Sequence, residues 1–213
     1  TVVRVSNKPF PQVDLICETI NGLLADAWGD MRPYVCVLRY EHSPSITQAL
    51  SAICDLRVIW GGDHTIKTIR QASLPPRAVE MAFADRYSIA VIHAEAYLEC
   101  SSEDVAKKFY TDTYYTDQNA CSSPRLVVWL GDSIRQARER FWNALDQLAQ
   151  REYTMKPIQA VDKYTAVCAL GMSRPGVRYV PGGTLVTRAE VDRLTADIMD
   201  FKCGSGCFFE YEA

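Results

Sequence analysis

The 213-residue chain has no apolar run approaching the roughly 20 residues that a membrane helix needs, so no membrane span is expected. Its first residues lack the charged-then-apolar pattern of a secretory leader. Charge of one sign is also missing. With 23 basic and 26 acidic residues the formal net charge is -3, which offers no electrostatic footing for nucleic acid. Histidine is scarce: only His42, His64 and His93, all remote in sequence from the one close cysteine pair, Cys203 and Cys207. Zinc there would lack two ligands. No metal is expected, and CGSGC reads as a flexible glycine-rich loop. The eight cysteines lack the dense spacing of a small secreted disulfide scaffold, which points to a reducing cytoplasm. Internal repeats and low-complexity tracts are absent.

What is present is alternation. Val2 to Val5, Tyr34 to Leu38 and Leu56 to Trp60 read as strands, and residues 14–28, 43–54 and 63–72 between and after them carry apolar residues at helical spacing. Ser43-Pro44 supplies a cap and first turn. Strands alternating with helices imply right-handed βαβ units and a parallel sheet. The double proline of LPPR (74–77) breaks the pattern and marks the passage towards a second lobe. A buried strand follows at Tyr87 to Ile92, then a helical region (103–115), a strand at 125–130 and a helix at 132–151. Beyond 151 the expectation is a hairpin of Val177 to Val180 and Thr184 to Val186 around Pro181-Gly182-Gly183, and a helix over 188–201. The chain starts on a strand and stops on FFEYEA, as a piece of something longer would.

Three stretches carry chemistry. DQNACSSPR (117–125) places Cys121 on a tight helix-to-strand connection among small residues, where a substrate can reach the sulfur. The plainer reading is a small buried hydrophobe. IWGGDHT (59–65) joins a strand to a helix start through Gly61 and Gly62, where backbone N–H groups can meet a phosphate; a turn capped by Asp63 or Thr65 is the plainer reading. VVRVSNKPF (2–10) puts Arg4 and Ser6 at the end of a parallel strand, where open α/β sheets bind ligands. Arg4 or Lys8 would hold a ribose phosphate there, or would be a solvated cation.

In order and content these stretches resemble the LuxC-type long-chain acyl-CoA reductases of the aldehyde dehydrogenase superfamily. VVRVSNKPF is similar to the ribose-binding strand and turn, IWGGDHT to the Trp-Gly-Gly-Asp motif, and DQNACSSPR to the catalytic cysteine motif. The resemblance covers about residues 1–150 closely and the remainder loosely. It implies an α/β, aldehyde dehydrogenase-like fold with parallel or mixed sheets flanked by helices. Residues 1–84 would be part of an NADPH-binding domain, and residues 85–213 a catalytic thiol domain truncated at its C-terminus. It implies Cys121 as nucleophile, with Asn119 beside it in the catalytic motif, and Arg4, Ser6, Gly61, Gly62 and Asp63 as cofactor-binding residues. The expected activity is NADPH-dependent reduction of an acyl-CoA or acyl-protein to the aldehyde through an acyl-cysteine. The family resemblance also implies a homo-oligomer that works with acyltransferase and synthetase partners.

Departures from the superfamily are informative. The glutamate that activates water in aldehyde-oxidising members is matched here by Ala82, with Glu80 and Asp85 off the pattern, so hydrolysis to a free acid should be slow. Neither the oxyanion-hole asparagine nor the Glu-x-Phe-Gly-Pro segment is found in this sequence. Phe109, Tyr110, Tyr114, Tyr115 and Trp142 would line an acyl tunnel or, as aromatics at helical spacing usually do, form core. The competing readings are a related dehydrogenase with a smaller acyl or aldehyde substrate, and a non-catalytic dinucleotide-fold interaction module.

Overall fold

β-branched runs and proline- or serine-opened helices alternate through the first unit, Thr1–Ala84, of the computed structural model, which describes residues 1–8, 10–201 and 203–213. β1 (Val2–Arg4) leads to α1 (Pro11–Ala25), a 3-10 turn (Gly29–Tyr34) and β2 (Cys36–Leu38). β1 and β2 pair in parallel with Arg4 opposite Leu38, and the Val5 N–H extends the ladder to the Leu38 carbonyl at 3.0 Å. α2 (Pro44–Ile53) starts as expected, with Pro44 in its first turn and the Ser43 hydroxyl accepting from the Ile46 N–H. β3 (Leu56–Trp60), α3 (Asp63–Ile69) and β4 (Val79–Phe83) complete the unit, β3 and β4 again parallel.

β4 is absent from the sequence reading because it follows directly on the two prolines. Pro75 and Pro76 lie in the α3–β4 connection inside this unit, so the passage to the second unit comes later, after Ala84. Arg57 on β3 secures the pairing. Its Nε donates to Glu80 at 2.8 Å across the strands, and its Nη1 donates to the Ser51 hydroxyl and to the Ile69 and Ala72 carbonyls. Arg70 grips the other Glu80 oxygen at 2.6 Å, and these guanidinium contacts hold the Glu80 carboxyl below its ordinary range.

The second unit, Asp85–Ala213, is built on a five-stranded sheet. In chain order come β5 (Ser88–His93), α4 (Ala94–Leu98), α5 (Ser102–Thr113), a 3-10 turn (Tyr114–Thr116), β6 (Pro124–Leu130), α6 (Ile134–Glu152) and α7 (Pro157–Ser173). β7 (Val177–Val180), β8 (Thr187–Val191), a 3-10 turn (Ala196–Asp200) and β9 (Cys207–Glu212) follow. Sheet order is β5-β6-β9-β8-β7, all parallel except the β7–β8 pair. β6 is buried on both faces, as its continuous RLVVWL run requires. One face packs Val127, Trp129 and Phe208 against Phe109, Phe141, Trp142 and Leu145 of α5 and α6. The other packs Leu126, Val128, Ala189, Val191 and Phe209 against Leu170 of α7.

Of the two readings of the aromatic residues the structure shows core, and other expectations for this unit are corrected. Phe109, Tyr110, Tyr114 and Trp142 are core, and Phe109 and Phe141 meet edge-on with ring centroids 5.1 Å apart, whereas Tyr115 is 77% exposed; they line no tunnel. The second hairpin strand is Thr187–Val191, not 184–186, and the helix expected over 188–201 is this strand followed by a 3-10 turn. Helix-forming residues mislead there because Thr187, Ala189 and Val191 alternate inward, while Arg188 and Glu190 between them serve a buried ionic network. At its centre Glu210, fully buried on β9, accepts from the Trp129 and Trp142 indoles at 3.0 and 2.8 Å. It also pairs with Arg138 at 3.0 Å and Arg188 at 3.3 Å, and Arg138 reaches on to Glu190 and Glu212. The network ties α6 to β6, β8 and β9 and so discriminates against a slipped register. Nor is CGSGC a flexible loop: Cys203 and Cys207 are buried, and Ser205 (φ 56°) and Gly206 (φ 82°) reverse the chain between them. At Gly206 a side chain is excluded, since a Cβ would lie 2.1 Å from the Leu185 carbonyl oxygen. Among the described residues no helix is long and apolar enough to cross a membrane, and no cluster of three His, Cys, Asp or Glu could hold a metal.

Candidate active site

Cys121 sits where α5 hands the chain to β6, at the sheet edge formed by the starts of β5, β6 and β9. After the 3-10 turn, Asp117 (φ 51°) and Gln118 (φ 61°) are both left-handed, which turns the backbone sharply. Asn119 N–H returns to the Thr116 carbonyl at 2.8 Å, and the Ser123 N–H closes a turn on the Ala120 carbonyl at 3.1 Å. Cys121 and Ser122 occupy the tip of that turn and are exposed, so the buried-hydrophobe reading of this cysteine fails. From below, the Ser88 hydroxyl at the start of β5 donates to the Cys121 carbonyl at 2.7 Å, and the Ser123 hydroxyl donates to the Asp112 carbonyl at 2.6 Å.

The anchor of this loop is Gln118. Its side chain is fully buried and uses its whole hydrogen-bonding capacity. Nε2 donates to the Pro124 and Cys207 carbonyls, both at 2.9 Å, while Oε1 accepts from the Gly206 and Cys207 N–H groups, both at 3.1 Å. Its main chain is held as well, N–H to the Thr113 carbonyl at 2.7 Å and C=O from the Arg125 guanidinium at 3.0 Å. Gln118 thereby clamps the cysteine loop to the first residues of both β6 and β9. Sequence reading passed over it, because glutamine in a polar loop carries no signal of burial.

Asn119 is exposed, and its amide lies beside Gly204, where a Cβ would stand 3.8 Å from Oδ1. It borders a hollow of about 210 Å³ that is also lined by Asp117, Gln159, Lys163, Cys203 and Ser205. A larger hollow, about 680 Å³, lies between α5 and α6 and is bordered by none of the 117–123 loop. Lys163, on α7, is 2% exposed, and its ammonium donates to the Thr184 carbonyl at 2.5 Å and the Ser205 carbonyl at 2.8 Å. Burial lowers its pKa from 10.5 to about 8. Losing one proton leaves two N–H donors, enough for both carbonyls. The folded chain therefore releases this proton near pH 8 and the unfolded chain only near 10.5. Below pH 8 the charged form carries the full cost of burial, and stability rises as pH climbs through that window. Urea unfolding of the wild type and Lys163→Gln at about pH 7 and 9.5 should show the wild type gaining on the variant by about 1–3 kcal/mol. A constant difference would mean that Lys163 titrates normally.

In the first unit, Arg4 ends β1 with its guanidinium over the Tyr40 ring, 4.9 Å from the centroid, and an Nη2 bond to the Tyr40 carbonyl at 3.3 Å. The Ser6 hydroxyl accepts from the Lys8 N–H at 3.1 Å; Pro9 lies outside the described residues. Gly61 bonds the Phe83 carbonyl, and a Cβ on it would press to 2.9 Å from the Thr65 methyl. Gly62 is the N-cap of α3, with open space where a side chain would be, and Asp63 is exposed next to it. Arg4 and Ser6 thus fall at the end of one strand, and Gly61, Gly62 and Asp63 at the end of another.

The profile of the acyl-CoA reductase (LuxC) family matches residues 3–169. A long-chain acyl-protein thioester reductase of Aliivibrio fischeri is 27% identical over 147 residues, covering 68% of this chain and 29% of that protein. The long-chain acyl-protein thioester reductase 2 of Photobacterium leiognathi is 27% identical over 136 residues, covering 62% and 27%. The chain thus spans less than a third of the length of these curated relatives. Among solved structures, a bifunctional proline utilization A (PutA) protein superposes with TM-score 0.66 at 17% identity, over all of this chain and 22% of its own. The aldehyde dehydrogenase C (AldC) C291A mutant from Pseudomonas syringae, complexed with NAD+ and octanal, gives TM-score 0.59 at 12% identity, over 84% of this chain and 40% of its own. These likenesses establish an aldehyde dehydrogenase-like fold.

Proposed function

The chain belongs to the acyl-CoA reductase (LuxC) family, and from that premise we propose that it carries the acyl-accepting thiol of a fatty-acyl reductase, with Cys121 as nucleophile. The observation that carries this reading is the exposure of Cys121 at the tip of a turn whose supporting residues are buried and fully bonded. A reactive thiol needs access on one side and a fixed backbone on the other.

The Cys121 sulfur, as thiolate, attacks the carbonyl carbon of an acyl thioester. The carbon–sulfur bond to the donor breaks, the donor thiol leaves with a proton, and the acyl group stays on Cys121. With the Ala120 and Ser123 N–H groups already bonded within the loop, the main-chain N–H groups of Cys121 and Ser122 would be the donors to the oxyanion. Lacking an asparagine donor would cost a transition state about 100- to 1000-fold. Ala82 supplies no base for water, which favours reduction of the acyl-enzyme over its hydrolysis. NADPH, when bound, supplies the hydride that takes the acyl carbon to the aldehyde. Arg4, Ser6, Gly61, Gly62 and Asp63 would hold it, and the open space over Gly62 suits the close approach of a diphosphate. Residues 1–84 are then the cofactor part and 85–213 the thiol part. The names of the relatives favour an acyl-protein as donor, with acyl-CoA as its small-molecule counterpart.

The test is intact-mass analysis after incubation with tetradecanoyl-CoA, followed by peptide mapping. One acyl group on the peptide containing Cys121 is the expected result. Acyl groups spread over the eight cysteines, or none on either this chain or a longer version of the protein, would overturn the reading.

A further inference from the structure

Beneath the Cys121 loop lies a second thiol centre that the acyl chemistry does not use. Cys203 and Cys207 pack with Val167 in one buried cluster, 5% and 1% exposed. The reversal through left-handed Ser205 and Gly206 brings two cysteines four residues apart into the same cluster. The Lys163 ammonium is fixed above them on the Ser205 carbonyl. Cys203, unlike Cys207, also borders the hollow of about 210 Å³ shared with Asp117, Asn119 and Lys163.

The two thiols are not equivalent. The S–H of Cys207 and the positive charge of Lys163 favour the thiolate on Cys203, whose pKa is lowered, while Cys207 is pushed well up by its bond to Cys203 and by burial. The sulfur that ionises first is thus the one on the hollow, and its neighbour keeps its proton. That is the division of labour between an attacking and a resolving thiol.

We propose that Cys203 and Cys207 form a reversible dithiol–disulfide site, oxidised by a small hydroperoxide entering beside Lys163, and that its closure shifts the loop bearing Cys121. The Cys203 sulfur attacks the terminal peroxide oxygen, the O–O bond breaks, and the alcohol (water, for hydrogen peroxide) leaves with a proton. Cys203 becomes a sulfenic acid. The Cys207 sulfur attacks it, the S–S bond forms, the S–O bond breaks, and water leaves with the Cys207 proton. Two thiols and one hydroperoxide give one disulfide, one alcohol and one water.

Coupling to the loop follows from Gln118. A disulfide holds its two sulfurs at about 2.05 Å, so the 203–207 turn must tighten for the bond to close. The N–H and C=O of Cys207 are both held by the Gln118 side chain, and the Ser205 N–H by the Asp117 carbonyl at 3.0 Å. Any shift of the turn is passed to Asp117 and Gln118, four and three residues before Cys121. The dithiol stands whether or not Cys121 is acylated.

The experiment treats the chain with stoichiometric hydrogen peroxide, quenches with catalase, maps the disulfides, and then measures the iodoacetamide labelling rate of Cys121. Expected are a linked Cys203–Cys207 peptide that dithiothreitol reverses, and Cys121 labelling slowed several-fold until reduction. Cys207→Ser should trap a sulfenic acid on Cys203, detected with dimedone, and show no such slowing. That control separates closure of the disulfide from direct oxidation of Cys121. Oxidation confined to the exposed Cys36, Cys100, Cys121 and Cys168, with Cys203 and Cys207 still free thiols, would overturn the site. A disulfide formed with unchanged Cys121 labelling would overturn the coupling.

Discussion

Replacing Cys121 with alanine is expected to reduce acyl transfer from a fatty acyl thioester to the uncatalysed background, a loss on the order of 10⁴-fold or more. The loss is this large because the thiol forms the bond itself, and nothing else in the 117–125 loop is a nucleophile of comparable strength. Ser122 is exposed one residue on, but a hydroxyl without a base is a far weaker nucleophile than a thiolate. Release of free CoA, followed with a thiol reagent that is corrected for the protein's own cysteines, measures the rate. Cys121 is exposed at the tip of a turn, so its truncation should move stability by no more than about 0.5 kcal/mol. An unchanged melting temperature with acyl transfer gone is therefore the expected pair of results. Acyl transfer that persists in Cys121→Ala would place the nucleophile elsewhere.

Gln118→Leu should have the largest effect on stability of any change in the loop. Leucine nearly matches the volume of glutamine but leaves the Pro124 and Cys207 carbonyls and the Gly206 and Cys207 N–H groups without their partner. Each buried neutral group left unpaired costs about 1–3 kcal/mol, and relaxation of the loop recovers part of the sum. A net loss of about 3 kcal/mol or more in urea unfolding is expected. Cys121 should respond as well: with Asp117 and Gln118 no longer held in left-handed geometry, its labelling should lose its selectivity over the other exposed cysteines. A loss below about 1 kcal/mol would show that the loop is held without the Gln118 side chain.

Local pattern carried much of the first 150 residues. β3 runs Leu56–Trp60 as the LRVIW run indicated, and α2 begins at the cap that Ser43-Pro44 announced. The placement of Cys121 between a helix and a strand was legible because helix period, turn residues and β-branched run are all local signals. α7 was missed although Pro157 stands in its first turn, since its apolar residues form only a weak stripe. The 188–201 stretch was misread because Arg and Glu are good helix formers, and their role as partners of a buried carboxylate is invisible locally.

The alternation that makes an α/β protein and the position of the thiol on its turn were thus determined by sequence alone, through signals that act within about ten residues. Tertiary structure alone decided what lies beneath that thiol. Gln118, Lys163, Cys203 and Glu210 are ordinary polar or small residues in sequence and become an anchor, a buried ammonium, half of a dithiol and the hub of an ionic network. Gln118, Lys163 and Glu210 owe their roles to partners 21 to 89 positions away along the chain, and Cys203 is buried against Lys163. Burial strips these groups of water, and only those distant partners can replace the hydrogen bonds that water would have made.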